Sequence, residues 1–486
     1  MKLNIQQRPR LKAIALIIGI AFIALVVIGA RRILPILSFG AGLKAGHMCS
    51  AVFVAGRSPG AVLRDEFGNL DTRLRLVPDP IVDRESRSVA VPLLFGSMTR
   101  RAVYREGAGC TVLPPGSSLQ DGVALARVEI PKPPGEPSII PWPDGDLLPG
   151  NPLPPEVDAQ RLSTVVEAAF TGEREGPYKT IGLVVVYRGR IIAERYAPGF
   201  DAHTQYRSWS SAKSITSALV GILVGEGRIE VGAPAPIPEW RGPDDPRGRI
   251  TIAHLLHMSS GLESDGAKTF EAYWGGIDTG AAVAQTRLEA TPGKRWKYSN
   301  YDTLLLVRAM REVIADDAEY LTLPHRALLH KIGMRDTVPE LDPYGNFILS
   351  SQVYTTARDL ARFGLLYQND GIWNGKRILP EGWVEFTVKP APATLLLPEE
   401  HQVYAGYGVQ FWLYGRHPRL PADAFSTSGA RGQHATIVPS RDLVVARMGL
   451  DPLFESGWDQ PAFVADVLSA ISPGAVAVPS GRLSDQ

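Results

Sequence analysis

The chain has 486 residues, 45% of them hydrophobic, enough for one large domain or two smaller ones with cores of their own. Its 51 basic and 50 acidic residues nearly cancel, so no basic field argues for nucleic acid and no run of like charge argues for a disordered interaction tail.

The first predicted element is "AIALIIGIAFIALVVIGA", Ala13 to Ala30, which holds no charge and no proline. A bilayer core takes roughly 20 apolar residues, and this run is just long enough. Lys2, Arg8, Arg10 and Lys12 precede it, which favours a cytoplasmic N-terminus, while Arg31 and Arg32 behind it weaken that signal. We expect residues 1–39 to be an uncleaved inner-membrane anchor, with the remainder outside the cytoplasm, in a bacterial periplasm. A cleaved secretory signal is the alternative, although its apolar region is normally shorter and arginine after Ala30 is a poor cleavage context. A buried soluble helix is the third reading.

Two cysteines occur, Cys49 and Cys110, both beyond the apolar run. A disulfide between them suits an exported protein, and two buried thiols are the other reading. Residues 40–129 read as a small α/β module. In it "CSAVFVAGRSPGAVLRDEF" is expected as a strand followed by a helix, and "SVAVPLLFGSMTRRAVYREGAGCTVL" as strands with turns. Residues 130–157 are a proline-rich connector, because proline excludes both regular helix and central strand, and its apolar side chains predict that it lies along the surface.

Residues 158–475 form the main domain, and 476–486 a loose tail. "RLSTVVEAAFTG" has helical spacing closed by glycine. "TIGLVVVYRGRIIAERYAPG" is a hairpin signal around "RG". "WSSAKSITSALVG" opens a helix whose apolar residues recur at three- and four-residue steps. Further helices are expected at "TIAHLLHM", "YDTLLLVRAMREVIADD", "TARDLARFGLLYQ" and "PAFVADVLSAIS", and late strands at "GYGVQFWLY", "QHATIVPS" and "LVVARMGL". Strands at both ends with helices between predict a sheet completed by distant parts of the chain.

Three stretches carry chemistry. In the first, Ser210 and Lys213 stand three apart at a helix start, so they share a face. A serine hydroxyl needs a nearby base, and the helix N-terminus offers free N–H groups to a developing oxyanion. In the second, "PGKRWKYSNYDTLLL", Tyr298 and Asn300 stand two apart and point the same way in an extended segment. In the third, "FSTSGARGQHATIVP", Thr427, Ser428 and Gly429 begin a strand, and the glycine permits close backbone approach, leaving the N–H of Ala430 to pair with that of Ser210. Each motif alone has an ordinary structural reading: a helix cap, a common tripeptide, a glycine turn.

Taken in order, the three resemble the serine β-lactamase and penicillin-binding protein superfamily, on its class C-like and carboxylesterase branch, and within it the 6-aminohexanoate-dimer hydrolase group. The resemblance covers most of residues 158–471. It implies an α/β (α+β) fold, an antiparallel sheet flanked by helices with a helical lobe beside it, and no cofactor or metal. It implies Ser210 as nucleophile, Lys213 as proton acceptor, and Tyr298 as a base that then protonates the leaving group. Asn300, Ser428 and Gly429 would contact substrate, and Ser210 and Ala430 would supply the oxyanion N–H groups. Thr427 departs from the lysine or histidine that many relatives carry, which removes a charge for holding a substrate carboxylate and leans toward neutral amides or esters.

Other candidates weigh less. "GRSPG" places Ser58 in a nucleophile-elbow pattern, but Pro59 lacks the N–H that such an elbow uses. His254 and His257 share a helix face without a third ligand, and His434 follows the strand glycine; packing is the expectation for all three. Tyr273 and Trp274 are read either as a cleft wall or as core. Lys294, Arg295 and Lys297 surround Tyr298 as a solvated face. The expected function is hydrolysis of a small-molecule amide or ester through an acyl-enzyme on Ser210. A cell-wall D-amino-acid peptidase or penicillin-binding protein is the alternative enzyme, and a non-catalytic anchored scaffold the alternative of another kind; the sequence leaves the oligomeric state open.

Overall fold

The computed structural model describes residues 8–68, 72–123, 129–130, 132–133, 135–171, 179–264, 266–396, 406–453 and 458–472. Its first element is one long helix, α1 (Arg8–Phe53), and the apolar run is the front part of it. Leu16, Ile17, Ile18, Ile33 and Ile36 are exposed along it, while the helix from Gly40 to Val52 is buried. The stretch Ile33–Phe53 is by length and composition apolar enough to cross a membrane, yet 72% of it is buried inside the protein. Small residues let it pack closely: a Cβ at Gly42 would lie 2.4 Å from the Trp274 carbonyl oxygen. The strand expected at "CSAVFVAG" is therefore corrected, since Cys49–Phe53 is the last turn of α1. Packing against a sheet overrides the strand preference of Val52 and Phe53.

That sheet joins β1 (Ile81–Asp83), β2 (Ser88–Leu93), β3 (Met98–Arg105) and β4 (Gly109–Val112), antiparallel and in chain order. Cys49 on α1 and Cys110 on β4 are joined by a disulfide, with Cα atoms 6.0 Å apart. Val89, Val91 and Ala102 of this sheet belong to the same continuous core as Leu219 and Leu255 of the main domain. The chain around Trp142 lies against later elements: Trp142 Nε1 donates to the Gly189 carbonyl at 3.0 Å, and the Arg362 guanidinium sits 4.6 Å from the Trp142 ring.

The main domain opens with α2 (Ala159–Thr171), then β5 (Thr180–Tyr187) and β6 (Arg190–Tyr196). The turn between the two strands holds Arg188 and Gly189 at φ 48° and 74°, the backbone a two-residue hairpin requires. β7 (Tyr206–Arg207) leads into α3 (Ala212–Gly225), followed by α4 (Ile252–Leu256), α5 (Gly266–Trp274) and α6 (Asn300–Val313). β8 (Val338–Pro339) and β9 (Val353–Thr355) form a small sheet with β7 at its edge. After α7 (Ala357–Gln368) come the short hairpin β10 (Ile372–Trp373) and β11 (Lys376–Arg377), then β12 (Gly406–Tyr407), β13 (Trp412–Leu413), β14 (Phe425–Gly429), β15 (Gln433–Val438), β16 (Leu443–Gly449) and α8 (Gln460–Ser469).

Among the described residues, seven of these strands make one antiparallel sheet in the order β12-β13-β14-β15-β16-β5-β6, so the chain's late strands close onto its early hairpin. Side-chain alternation splits the core between its faces. Leu183, Val185 and Tyr187 pack with Leu162, Val166, Phe463 and Val467 on the α2 and α8 side. Val184, Val186, Val444 and Ala446 pack with Leu360 and Phe363 of α7 and the helical lobe behind it. The continuous apolar reading of "TIGLVVVY" follows from burial on both faces.

Candidate active site

β7 brings the chain to a single tight turn, Trp209–Ser211, which feeds directly into α3. Trp209 has φ 50°, a conformation uncommon for any residue but glycine. It is held there by burial and by the Arg207 guanidinium, 4.1 Å from its ring. α3 is buried from Ala212 to Leu223, so Lys213 projects into the protein one turn beyond Ser210 rather than into solvent.

The amine of Lys213 has three neighbours: Ser210 Oγ at 3.1 Å, Asn300 Oδ1 at 2.6 Å and the Ser350 carbonyl oxygen at 2.8 Å. A neutral amine has two N–H donors and one lone pair. The carbonyl and the amide oxygen can take the two donors, which leaves the lone pair for the serine hydroxyl. Burial, and secondly the nearby Arg207 charge, hold the pKa of Lys213 well below the ordinary lysine value.

Asn300 opens α6, whose cap is Ser299 in extended backbone, its side chain accepting from the Asp302 N–H at 3.2 Å. Tyr298 stands one residue before that cap. Its hydroxyl lies near enough to Ser210 to be influenced by it, and its ring centroid lies 5.2 Å from Lys213 Nζ. The ring stacks on Trp412 at 5.6 Å and meets the edge of Tyr407 at 5.9 Å. Burial raises its pKa above the ordinary tyrosine value and the nearby Ser210 hydroxyl offsets part of that, so at neutral pH the group is a phenol. It thus presents a proton in the resting state, which suits the donor half of its expected role.

The third segment arrives on β14. A Cβ at Gly429 would lie 2.1 Å from the Ser208 carbonyl oxygen and 3.1 Å from the Ser211 nitrogen. A glycine is therefore required for the strand to reach the serine turn. Ser211 Oγ fastens the turn to the next strand by donating to the Gln433 carbonyl at 2.9 Å. Ala430, half-buried, follows Gly429 in this approach, and Ser428 before it is also half-buried. Thr427 is buried, its Oγ1 accepting from the Ala435 N–H at 3.0 Å, so its side chain is spent inside the sheet.

Tyr273 and Trp274 are buried in the core. The Tyr273 hydroxyl hydrogen-bonds Ser350 Oγ at 2.7 Å, in the residue whose carbonyl holds Lys213, and Trp274 covers Arg207 with its ring 4.6 Å away. Ser58 caps a short turn, accepting from the Ala61 N–H at 3.3 Å. His254 accepts from the Thr251 N–H at 3.1 Å, and His257 packs on the Phe386 ring at 5.3 Å. His434 is buried, and burial with the Arg447 charge pushes its pKa down to about 3. Arg295 turns to Glu289 at 3.0 Å. Sequence reasoning missed Ser350, which acts through its backbone and so leaves no side-chain signal. It also missed Tyr407 and Trp412, whose aromatic pattern in "GYGVQFWLY" was visible but read as strand alone.

The beta-lactamase family model matches residues 166–449. A 6-aminohexanoate-dimer hydrolase of Paenarthrobacter ureafaciens is 23% identical over 368 residues, 67% of this chain and 90% of that protein. Among solved structures, a Bacillus anthracis protein provisionally assigned as a 6-aminohexanoate-dimer hydrolase aligns with a TM-score of 0.53 at 22% identity, over 70% of this chain and 89% of that one. A family VIII carboxylesterase aligns at 0.51 and 16% identity, over 66% and 98%. The matched segment contains all three strands of chain that meet at Ser210, and the chain belongs to the beta-lactamase family of hydrolases.

Proposed function

We propose that the protein is a serine hydrolase that cleaves amide or ester bonds of small molecules through an acyl-enzyme on Ser210. The observation that carries this reading is the buried Lys213 amine held between Ser210, Asn300 and the Ser350 carbonyl. The neutral amine takes the Ser210 proton as Oγ bonds to the substrate carbonyl carbon. The carbonyl π electrons move to oxygen, where the N–H groups of Ser210 and Ala430 hold the charge, an arrangement whose single donors are typically worth about 3 kcal/mol. As the intermediate collapses, the bond to the departing amine or alkoxide breaks and Tyr298 supplies its proton. The Tyr298 phenolate recovers a proton from the Lys213 ammonium. Water then gives a proton to the neutral Lys213 amine as it adds to the acyl carbon, and the bond to Ser210 Oγ breaks as that proton is returned to it. No step requires a metal or organic cofactor.

Asn300 and the half-buried Ser428 would contact substrate. Thr427, uncharged and occupied in the sheet, supports neutral acyl groups over those carrying a carboxylate. The curated relative is named for hydrolysing a 6-aminohexanoate dimer, whose bond is an amide, which fits amide cleavage. We further propose that residues 13–30 anchor the chain in a membrane with the main domain outside the cytoplasm, that residues 40–129 form a module built on the buried half of α1, and that residues 130–157 connect it to a hydrolase domain at 158–475. The exposed apolar side chains of Leu16, Ile17 and Ile18 and the Cys49–Cys110 disulfide support that placement. A panel of linear amide dimers, short-chain esters and chromogenic cephalosporins tests the substrate class. Turnover of amides or esters with slow cephalosporin cleavage is expected; turnover of cephalosporins alone would overturn it.

A further inference from the structure

Glu66 lies outside the matched family segment, in the module before the main domain, and its side chain is fully buried. Its Oε2 accepts from the Tyr206 hydroxyl at 2.5 Å and from Arg431 Nη1 at 2.9 Å, and stands 2.8 Å from His47 Nε2. Its Oε1 accepts from Arg57. The carboxylate thus has four partners, three on Oε2 and one on Oε1. Burial raises the pKa of Glu66, but His47, Arg431 and Arg57 outweigh it and bring it to about 2, so the group is an ion.

Two of these partners come from the main domain, and their positions are what matters. Tyr206 stands in β7, four residues before Ser210. Arg431 directly follows Ala430, at φ 64°, a backbone conformation that something must hold. Arg431 is held further by its Nε, which donates to the Asp451 carbonyl at 2.9 Å. One buried carboxylate thus bonds both segments that deliver the proposed oxyanion N–H groups, where β14 and the serine turn are in backbone contact at Gly429.

We infer that Glu66 is a positioning residue for the oxyanion hole, through which the N-terminal module sets the spacing between the N–H groups of Ser210 and Ala430. This rests on the serine hydrolase reading above. A misplacement of about 1 Å at such a site costs about 10²-fold in rate, whereas ground-state substrate binding depends on it far less.

The test uses the full-length protein and two variants, Glu66→Gln and Tyr206→Phe, with steady-state kinetics on a turned-over ester and the affinity of phenylboronic acid, which forms a tetrahedral adduct on a serine and places an oxygen in the oxyanion hole. For Glu66→Gln, kcat should fall at least about tenfold with KM within threefold, and boronate affinity should fall in parallel with kcat. For Tyr206→Phe, which removes one hydroxyl and leaves three partners, the same split should appear at about threefold. A purely structural role would lower the melting temperature while leaving kcat and boronate affinity of the folded enzyme at wild-type values, and that result overturns the inference. If Glu66→Gln does not fold, Tyr206→Phe decides by the same criterion. A wild-type protein that neither turns over ester nor binds boronate defeats the hydrolase reading itself, and is told apart from failure of this inference because there the wild type is active.

Discussion

Lys213 and Glu66 are both buried ionisable groups, and the protein treats them oppositely. Around Lys213 stand an amide oxygen, a carbonyl oxygen and a hydroxyl, all neutral, while the charge that acts on it is the repelling Arg207. Burial therefore drives the amine toward its uncharged form. Around Glu66 stand Arg57, Arg431 and His47, and the carboxylate stays ionised. Burial sets the cost of a charge in each case, and the charge of the partners decides whether the group gives it up. A group that must take a proton is surrounded by neutral acceptors; a group that must hold two chain segments in place is paired with two guanidinium cations.

The comparison breaks most sharply at the lysine. Lys213→Arg keeps a cation that cannot deprotonate, so kcat/KM should drop about 10³-fold or more, measured on any ester the wild type cleaves. Tyr298→Phe removes the proton donor but leaves the ring between Trp412 and Tyr407, and should cost about 10²-fold with the melting temperature little changed. The pH dependence sharpens the same point. Lys213 must be neutral and its pKa is lowered, so kcat/KM should rise through a midpoint well below 10.5. Tyr298 must be protonated and its pKa is raised, so the alkaline decline should lie above 10 and vanish in Tyr298→Phe. Asn300→Ala removes one of the neutral acceptors around the amine and should cost about tenfold. The smallest effect is expected at the far end of α1: removing residues before Ile33 should release the protein from membranes with activity within about twofold of the full chain, because the half of the helix that packs into the protein begins near Gly40.

The serine side of the site was legible because Ser210 and Lys213 are neighbours in one helix, where spacing and contact are the same fact. Tyr298, Asn300 and Gly429 were legible through motif order, and the "RG" hairpin through its turn residues. The rest needed three dimensions. Glu66 draws its partners from positions 47, 57, 206 and 431, which no local pattern relates. The last turn of α1, Cys49–Phe53, reads as a strand because β-branched and aromatic residues prefer sheets in isolation and follow their packing in a protein. The apolar run carries no charged or hydroxyl side chain, whereas the buried half of the same helix holds Lys44, His47 and Ser50, which find Val77, Glu66 and Glu340 to bond.

The central claim, a nucleophile made by the Lys213 amine at Ser210, is tested most directly by intact-protein mass spectrometry after treatment with a fluorophosphonate, followed by peptide mapping. One adduct per chain is expected, on Ser210, formed at a rate that rises with pH, absent in Ser210→Ala and strongly slowed in Lys213→Arg. An adduct on Ser58 or another residue, or labelling of Ser210 at an unchanged rate in Lys213→Arg, would contradict it.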